Sequence, residues 1–198
     1  MSITMKYASL DLGTVEAVFN KLGGLEGAQR FLRDELVVKA AERVFAVWKT
    51  IKLGVHRTPD AYEKAFGAAG FRISEYALKI LKEISVSQAE IELDLVVVTP
   101  ADLGLKNPTY QQICDRAIEL GLEKCPREVG PALRLDYPDQ SYGEWLRVAM
   151  EPEADSGGYL YVFGVERDDF GQWLNTYWFN LRYTWSGGGR FVFVRPRK

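Results

Sequence analysis

Polar and apolar positions alternate along Ile91-Glu92-Leu93-Asp94-Leu95 and then give way to the unbroken apolar run Val96-Val97-Val98. This is the pattern of a half-buried strand that enters a covered core, and its β-branched residues favour extended backbone. Pro100 ends it, because proline has no ladder N–H, and Thr99 is placed to cap a turn over Pro100–Leu103. Upstream the spacing is helical. Val15, Val18, Phe19 and Leu22 come after the capping stretch Asp11–Thr14, and Leu25, Ala28, Phe31 and Leu32 form a second short stripe up to Arg33 after the stop Gly23-Gly24. Residues 35–53 fit either period. The reading adopted is helix from Glu35 to about Ala41 and strand from Val44 to Leu53, ended by Gly54.

Thr58-Pro59 opens a helix carrying Tyr62, Ala65, Phe66 and Ala69, with Gly70 as its stop. Ser74-Glu75-Tyr76-Ala77 opens another. Such a pair invites a helix-turn-helix reading, but Glu75 and Glu83 offset Lys79 and Lys82 on the second helix, and a packed pair fits better. A further helix is predicted over Tyr110–Leu120, then a turn or helix start at Cys125-Pro126, a break at Val129-Gly130-Pro131, and a short strand over Leu133–Tyr137. From Gly143 onward strands are predicted at Trp145–Met150, Tyr159–Glu166, Trp173–Trp178 and Arg190–Arg195, separated by turns rich in Asp, Ser and Gly. The expected fold is therefore α+β. A mostly helical region with one strand, residues 1–86, precedes a sheet-rich region, 87–198, with a mixed or antiparallel sheet and an aromatic C-terminal meander, the two forming either separate regions or one domain.

Composition narrows the class. The chain of 198 residues is 47% hydrophobic and carries a net charge of −2. That suits a folded globule and supplies no basic excess, so nucleic-acid binding is disfavoured. The chain has no long apolar run, which predicts no membrane span, no export signal and a cytoplasmic location. Cys114 and Cys125 are read as reduced thiols.

Several runs resemble conceptual proteins of an uncharacterised bacterial family. They are Leu22-Gly23-Gly24 with Arg30-Phe31-Leu32, Phe45 to Gly54, Leu93 to Val98, Val129 to Leu135, Val148-Ala149-Met150-Glu151-Pro152, and Gly189 to Val194. The resemblance spans most of the chain and implies a bacterial or phage-associated protein. It brings no activity and no catalytic residues.

Chemistry-bearing patterns are sparse. His56 is the one histidine. Glu92 and Asp94, two apart on a strand, share a face that permits an acid/base pair, a metal pair or a solvated surface. No zinc spacing, EF-hand or phosphate-loop motif is present, so no cofactor and no metal are expected. The aromatic density of the C-terminus is more telling. Trp173, Asn175, Tyr177 and Phe179 fall on one side of their strand, and Leu174, Thr176 and Trp178 on the other. One set can fill a core; the second needs another layer or a partner to cover it. The expected function is therefore non-enzymatic protein binding or structural assembly through an aromatic β surface, with another protein or copies of the chain itself as partner. Trp173, Tyr177, Trp178 and Trp185 are the candidate anchors, with Arg182 and Arg190 at the rim. An acid/base or metal-assisted hydrolase using Glu92, Asp94 and His56 is the enzymatic alternative, and a nucleic-acid-binding module the third.

Overall fold

The structure, a computed structural model, describes residues 11–38 and 44–197. The chain divides into two compact units, Met1–Glu42 and Arg43–Lys198. In the first, helices α1 (Leu12–Leu22) and α2 (Gly24–Leu32) form where the periodicity placed them. The Asp11 carboxylate accepts from Thr14 N–H at 2.7 Å, satisfying one of the free donors of the first turn. The helix expected from Glu35 is not seen at Leu36–Val38, which are irregular; its remainder, residues 39–41, lies outside the described residues.

The second unit is built on a mixed sheet of eight strands. These are β1 (Lys49–Leu53), β2 (Arg72–Ile73), β3 (Ile91–Val98), β4 (Trp145–Val148), β5 (Glu153–Ala154), β6 (Leu160–Asp168), β7 (Gly171–Phe179) and β8 (Arg190–Arg195). Their order is β1-β3-β8-β4-β6-β7-β2, with β5 paired to β6. Helices α3 (Pro59–Ala69), α4 (Glu75–Glu83), α5 (Tyr110–Glu119) and α6 (Val129–Asp136) complete the unit. β1 and β2, from the first of the two regions read in the sequence, belong to the same sheet as β3.

The C-terminal strands make a meander only in part. β4, β6 and β7 run antiparallel in succession. β8 then crosses back to the middle of the sheet, antiparallel to β3 and parallel to β4. This explains its composition, because Phe191, Val192, Phe193 and Val194 are all buried, as in a strand covered on both faces. α6 and α4 pack on one face, over Phe163, Val165 and Leu174. α5 packs on the other, where the Tyr110 ring lies 4.7 Å from Phe179 and 6.3 Å from Phe191.

Three sequence expectations are corrected. Leu133–Tyr137 is not a strand: Leu133–Asp136 form the C-terminal half of α6 and Tyr137 caps its end. Val129-Gly130-Pro131 opens this helix instead of breaking the chain, because the first turn has no intrahelical use for the N–H that proline lacks. Gly130 is needed there, since a Cβ would stand 2.5 Å from the Phe163 ring. The strand expected from Val44 begins at Lys49. Upstream the chain parts from β3, although Trp48 N–H still reaches the Leu95 carbonyl at 2.8 Å and Arg195 donates to the Phe45 carbonyl at 3.0 Å. Between α3 and α4 lies β2, which pairs in parallel with β7.

Two buried polar residues tie the connections down. Glu128, 1% exposed, accepts from Gly54 N–H at 2.8 Å, Tyr62 O–H at 2.9 Å and Ser87 N–H at 2.8 Å. Arg134 is fully buried and donates to the carbonyls of Tyr137 and Glu166 and to the side-chain oxygens of Gln140 and Gln172, beneath the Phe71 ring. Each holds several loops through one side chain.

Candidate binding surface

The outer edge of β7 is only partly covered. β2 pairs with Trp173 and Leu174 alone, and the chain then leaves the sheet to enter α4. Ser74 caps that helix through Ala77 N–H, while its own N–H donates to the Leu174 carbonyl at 3.1 Å. The backbone groups of Leu174 therefore face outward, away from β6. In an antiparallel pair the direction alternates residue by residue, so those of Thr176 and Trp178 face outward as well. Asn175 Oδ1 accepts the Thr176 N–H at 2.8 Å. The Thr176 carbonyl and both backbone groups of Trp178 meet no other strand among the described residues.

Beside this edge runs a groove of about 470 Å³, lined by Tyr76, Tyr159, Tyr161 and Trp178 together with Ser74, Glu75, Asn175 and Thr176. The rings are set in two pairs. Tyr76 stacks on Tyr161 at 4.9 Å with an interplanar angle of 9°, and Tyr159 meets Trp178 edge-on at 5.2 Å. Trp178 is 60% exposed, Tyr76 46% and Tyr159 43%, so the rings present area to solvent rather than fill the core. Asp155 fixes the near wall. Its carboxylate accepts from Gly157 and Tyr159 N–H at 2.9 Å and from Tyr161 O–H at 3.0 Å. Those backbone donors hold the Asp155 carboxyl below its ordinary range, while burial and the bond to Asp155 push the Tyr161 phenol up to about 12.

Among the six interaction residues expected from sequence, Trp178 lines this groove. Tyr177 and Trp185 lie across the sheet, on the α5 side, with ring centroids 6.4 Å apart and Trp185 only 5% exposed. The Tyr177 ring lies over Gly164, where a Cβ would come within 2.5 Å of it. Trp173 donates to Asp168 at 3.1 Å and carries the Arg72 guanidinium 5.2 Å from its ring. Arg190 is paired with Glu144, and Arg182 lies in an exposed turn. Sequence reasoning does not select Tyr76, Tyr159 or Tyr161 as anchors. The alternation of Tyr159 and Tyr161 is visible in the sequence; the contribution of Tyr76 from a distant helix is not.

Glu92 and Asp94 do share a face, and Arg197 joins them. It reaches Glu92 at 3.0 Å and both Asp94 oxygens at 2.8 and 3.1 Å, while Thr50 donates to Asp94 at 2.7 Å. These donors hold the Asp94 carboxyl down at about 2. His56 lies 4.9 Å from the Tyr62 ring and lines a second groove, of about 380 Å³, with Glu92 and Thr50; Asp94 is not part of its lining. Cys114 and Cys125 are buried, and burial pushes both thiols up, that of Cys114 to about 11. Among the described residues no cluster of three or more His, Cys, Asp or Glu is placed to hold a metal ion, and no helix is long and apolar enough to cross a membrane. Compared with known proteins, the chain matches no family model, no curated protein and no solved structure.

Proposed function

We propose that this protein is a non-enzymatic binding module that takes an extended segment of a partner polypeptide as an added strand along β7. The observation that supports this reading is the outward backbone of Thr176 and Trp178 beside an exposed aromatic groove. A strand carries the backbone donors and acceptors such an edge lacks, and side chains at alternate positions of the incoming segment would meet the rings. Tyrosine and tryptophan suit this role because they offer large, stiff contact area at little entropic cost. The edge is also unguarded: Asn175-Thr176-Tyr177-Trp178-Phe179 contains no charge and no proline. A single segment fits better than a second globular copy. Stable protein–protein interfaces bury roughly 1,200–2,000 Å², whereas the open edge here comprises two outward-facing residues, Thr176 and Trp178.

The test is selection from a displayed library of random heptapeptides, then mapping on the full-length protein. Enriched peptides are expected to protect the Trp178 amide from exchange. Trp178→Ala should weaken their binding about ten-fold or more, the loss typical of an aromatic anchor. Trp178→Pro should abolish it while sparing the fold, because the N–H it removes faces away from β6. Enriched peptides that map elsewhere would overturn the proposal. So would a dimer in sedimentation equilibrium that Trp178→Pro dissolves, because the edge would then serve a second copy.

A further inference from the structure

The groove beside β7 meets more carboxylate than cation. Glu75, the first residue of α4, lines it, and Asp155 stands behind its Tyr159 and Tyr161 wall. Among the described residues, the only cation that pairs with a lining residue or lies over one is Lys79, which reaches Glu75 at 2.8 Å. Asp155 has no ionic partner among the described residues. Its hydrogen bonds come from neutral donors, the Gly157 and Tyr159 amides and the Tyr161 hydroxyl, while nearby Arg127 is taken by Glu153. Neutral donors stabilise a carboxylate without cancelling its charge, so two carboxylates stand here against one ammonium.

The rings point the same way. The face of a tyrosine or tryptophan ring is the negative side of its quadrupole and attracts a cation. Tyr161 donates its hydroxyl proton towards Asp155, which adds electron density to its ring. The chain already shows the affinity: Lys79 Nζ lies 4.9 Å from the Tyr76 ring centroid. Tyr76 is thus engaged twice, by Lys79 and by its stack on Tyr161. Trp178, the most exposed of the four rings, meets Tyr159 edge-on and carries no cation among the described residues. A residue added opposite Trp178 would direct its side chain to the Trp178 face of the sheet, because cross-strand partners share a face. The groove opens on that face.

We infer that the groove receives an arginine or lysine side chain of the bound segment, its charged end over the Trp178 ring in the field of Asp155 and Glu75. An apolar side chain would cover the rings and leave Asp155 without a counter-ion; an acidic one would meet like charge. The inference rests on the proposed strand addition for the source of that side chain, but the preference for a cation is measurable without a strand.

The experiment titrates the full-length protein with N-acetyl-arginine N-methylamide and follows the indole N–H signals by NMR. The lysine, norleucine and glutamate analogues are the comparisons, at equal ionic strength. The Trp178 signal, assigned with Trp178→Phe, should shift saturably with the two cationic probes, about two- to five-fold more tightly than with norleucine, the worth of an exposed cation–π contact. Lys79→Met removes the resident cation from the exposed side of α4 and should tighten the arginine probe by a similar factor. Asp155→Asn keeps an oxygen for the Gly157 and Tyr159 amides and should loosen it; the other indole signals report that each variant is folded. The inference is overturned if norleucine or glutamate binds as tightly as arginine, if Trp178 ignores arginine, or if Lys79→Met fails to tighten binding. Library peptides that protect the Trp178 amide but carry no cation would also overturn it, and would leave the strand addition standing. An arginine response without any such peptide would support the cation preference and overturn the strand.

Discussion

Glu128 offers the sharpest test of how this fold is held. Its carboxylate is buried and accepts three hydrogen bonds, from Gly54 N–H, Tyr62 O–H and Ser87 N–H. These come from the end of β1, from α3 and from the loop before β3, so one side chain gathers three segments at the N-terminus of α6. In Glu128→Ala the Gly54 and Tyr62 donors stay buried and lose their acceptor, while Ser87 is partly exposed and can recruit water. Each orphaned donor costs about 1–3 kcal/mol, so the expected loss is about 2–6 kcal/mol. That is a large share of the roughly 5–15 kcal/mol that stabilises an ordinary domain. Glu128→Gln separates hydrogen bonding from volume. Its remaining oxygen can still serve Gly54 and Tyr62, but its amide meets the Ser87 N–H donor to donor, for a loss of about 1–2 kcal/mol. Urea denaturation with a shared m-value gives both numbers. The reasoning fails if Glu128→Ala costs under about 1 kcal/mol, or if the glutamine variant is as unstable as the alanine one.

The titrating groups carry two more expected outcomes. Asp94 should titrate near 2 by carboxyl NMR, and Arg197→Ala should move it back towards its ordinary value of 3.8. Because the folded value is the lower one, the stability this carboxylate contributes is present above the unfolded value and is lost as pH falls through the folded one; the acid limb between pH 4 and 2 should therefore flatten in Arg197→Ala. Cys114 and Cys125, buried and with raised thiol pKa values, should both resist an aromatic disulfide reagent at pH 8 in the folded protein and react fully in denaturant; prompt labelling of either would contradict its burial.

Features decided locally are the ones legible in the sequence. Asp11, Thr58-Pro59 and Ser74 each open a helix because the cap and the donors it satisfies lie within one turn. β8 is placed to the residue because its ends are marked on both sides, by the glycine turn and by Pro196. α6 is misread because Gly and Pro are breakers in a helix interior and harmless in a first turn, and only the Phe163 ring across the sheet shows why a glycine stands there. β2 is too short for any periodicity to reveal. At the site, alternation separates Trp178 from Tyr177 correctly by face. Which face stays open is settled elsewhere in the chain, by α5 and Trp185 closing over Phe179 and Phe191 and by α4 turning away after Ser74.

The two ends of the sheet differ in a way that favours β7 over β1 as the edge proposed to receive a partner. β1 is an outer strand too, but it carries Lys49 and Lys52, which pair with Asp136 at 3.5 Å and Glu90 at 3.4 Å. A strand approaching β1 would have to displace these ion pairs or bury lysine beside its own backbone, and lysine on an edge is a common natural guard against pairing. At β7 the guard is β2 alone, and it spans two residues. Beyond it the strand is uncharged, β-prone and walled by rings, the composition that elsewhere promotes uncontrolled association. A chain that protects one edge with charge and leaves the other bare places its aromatic residues where a strand can meet them. The helix that ends the protection, α4, is the one that supplies Tyr76 to the groove.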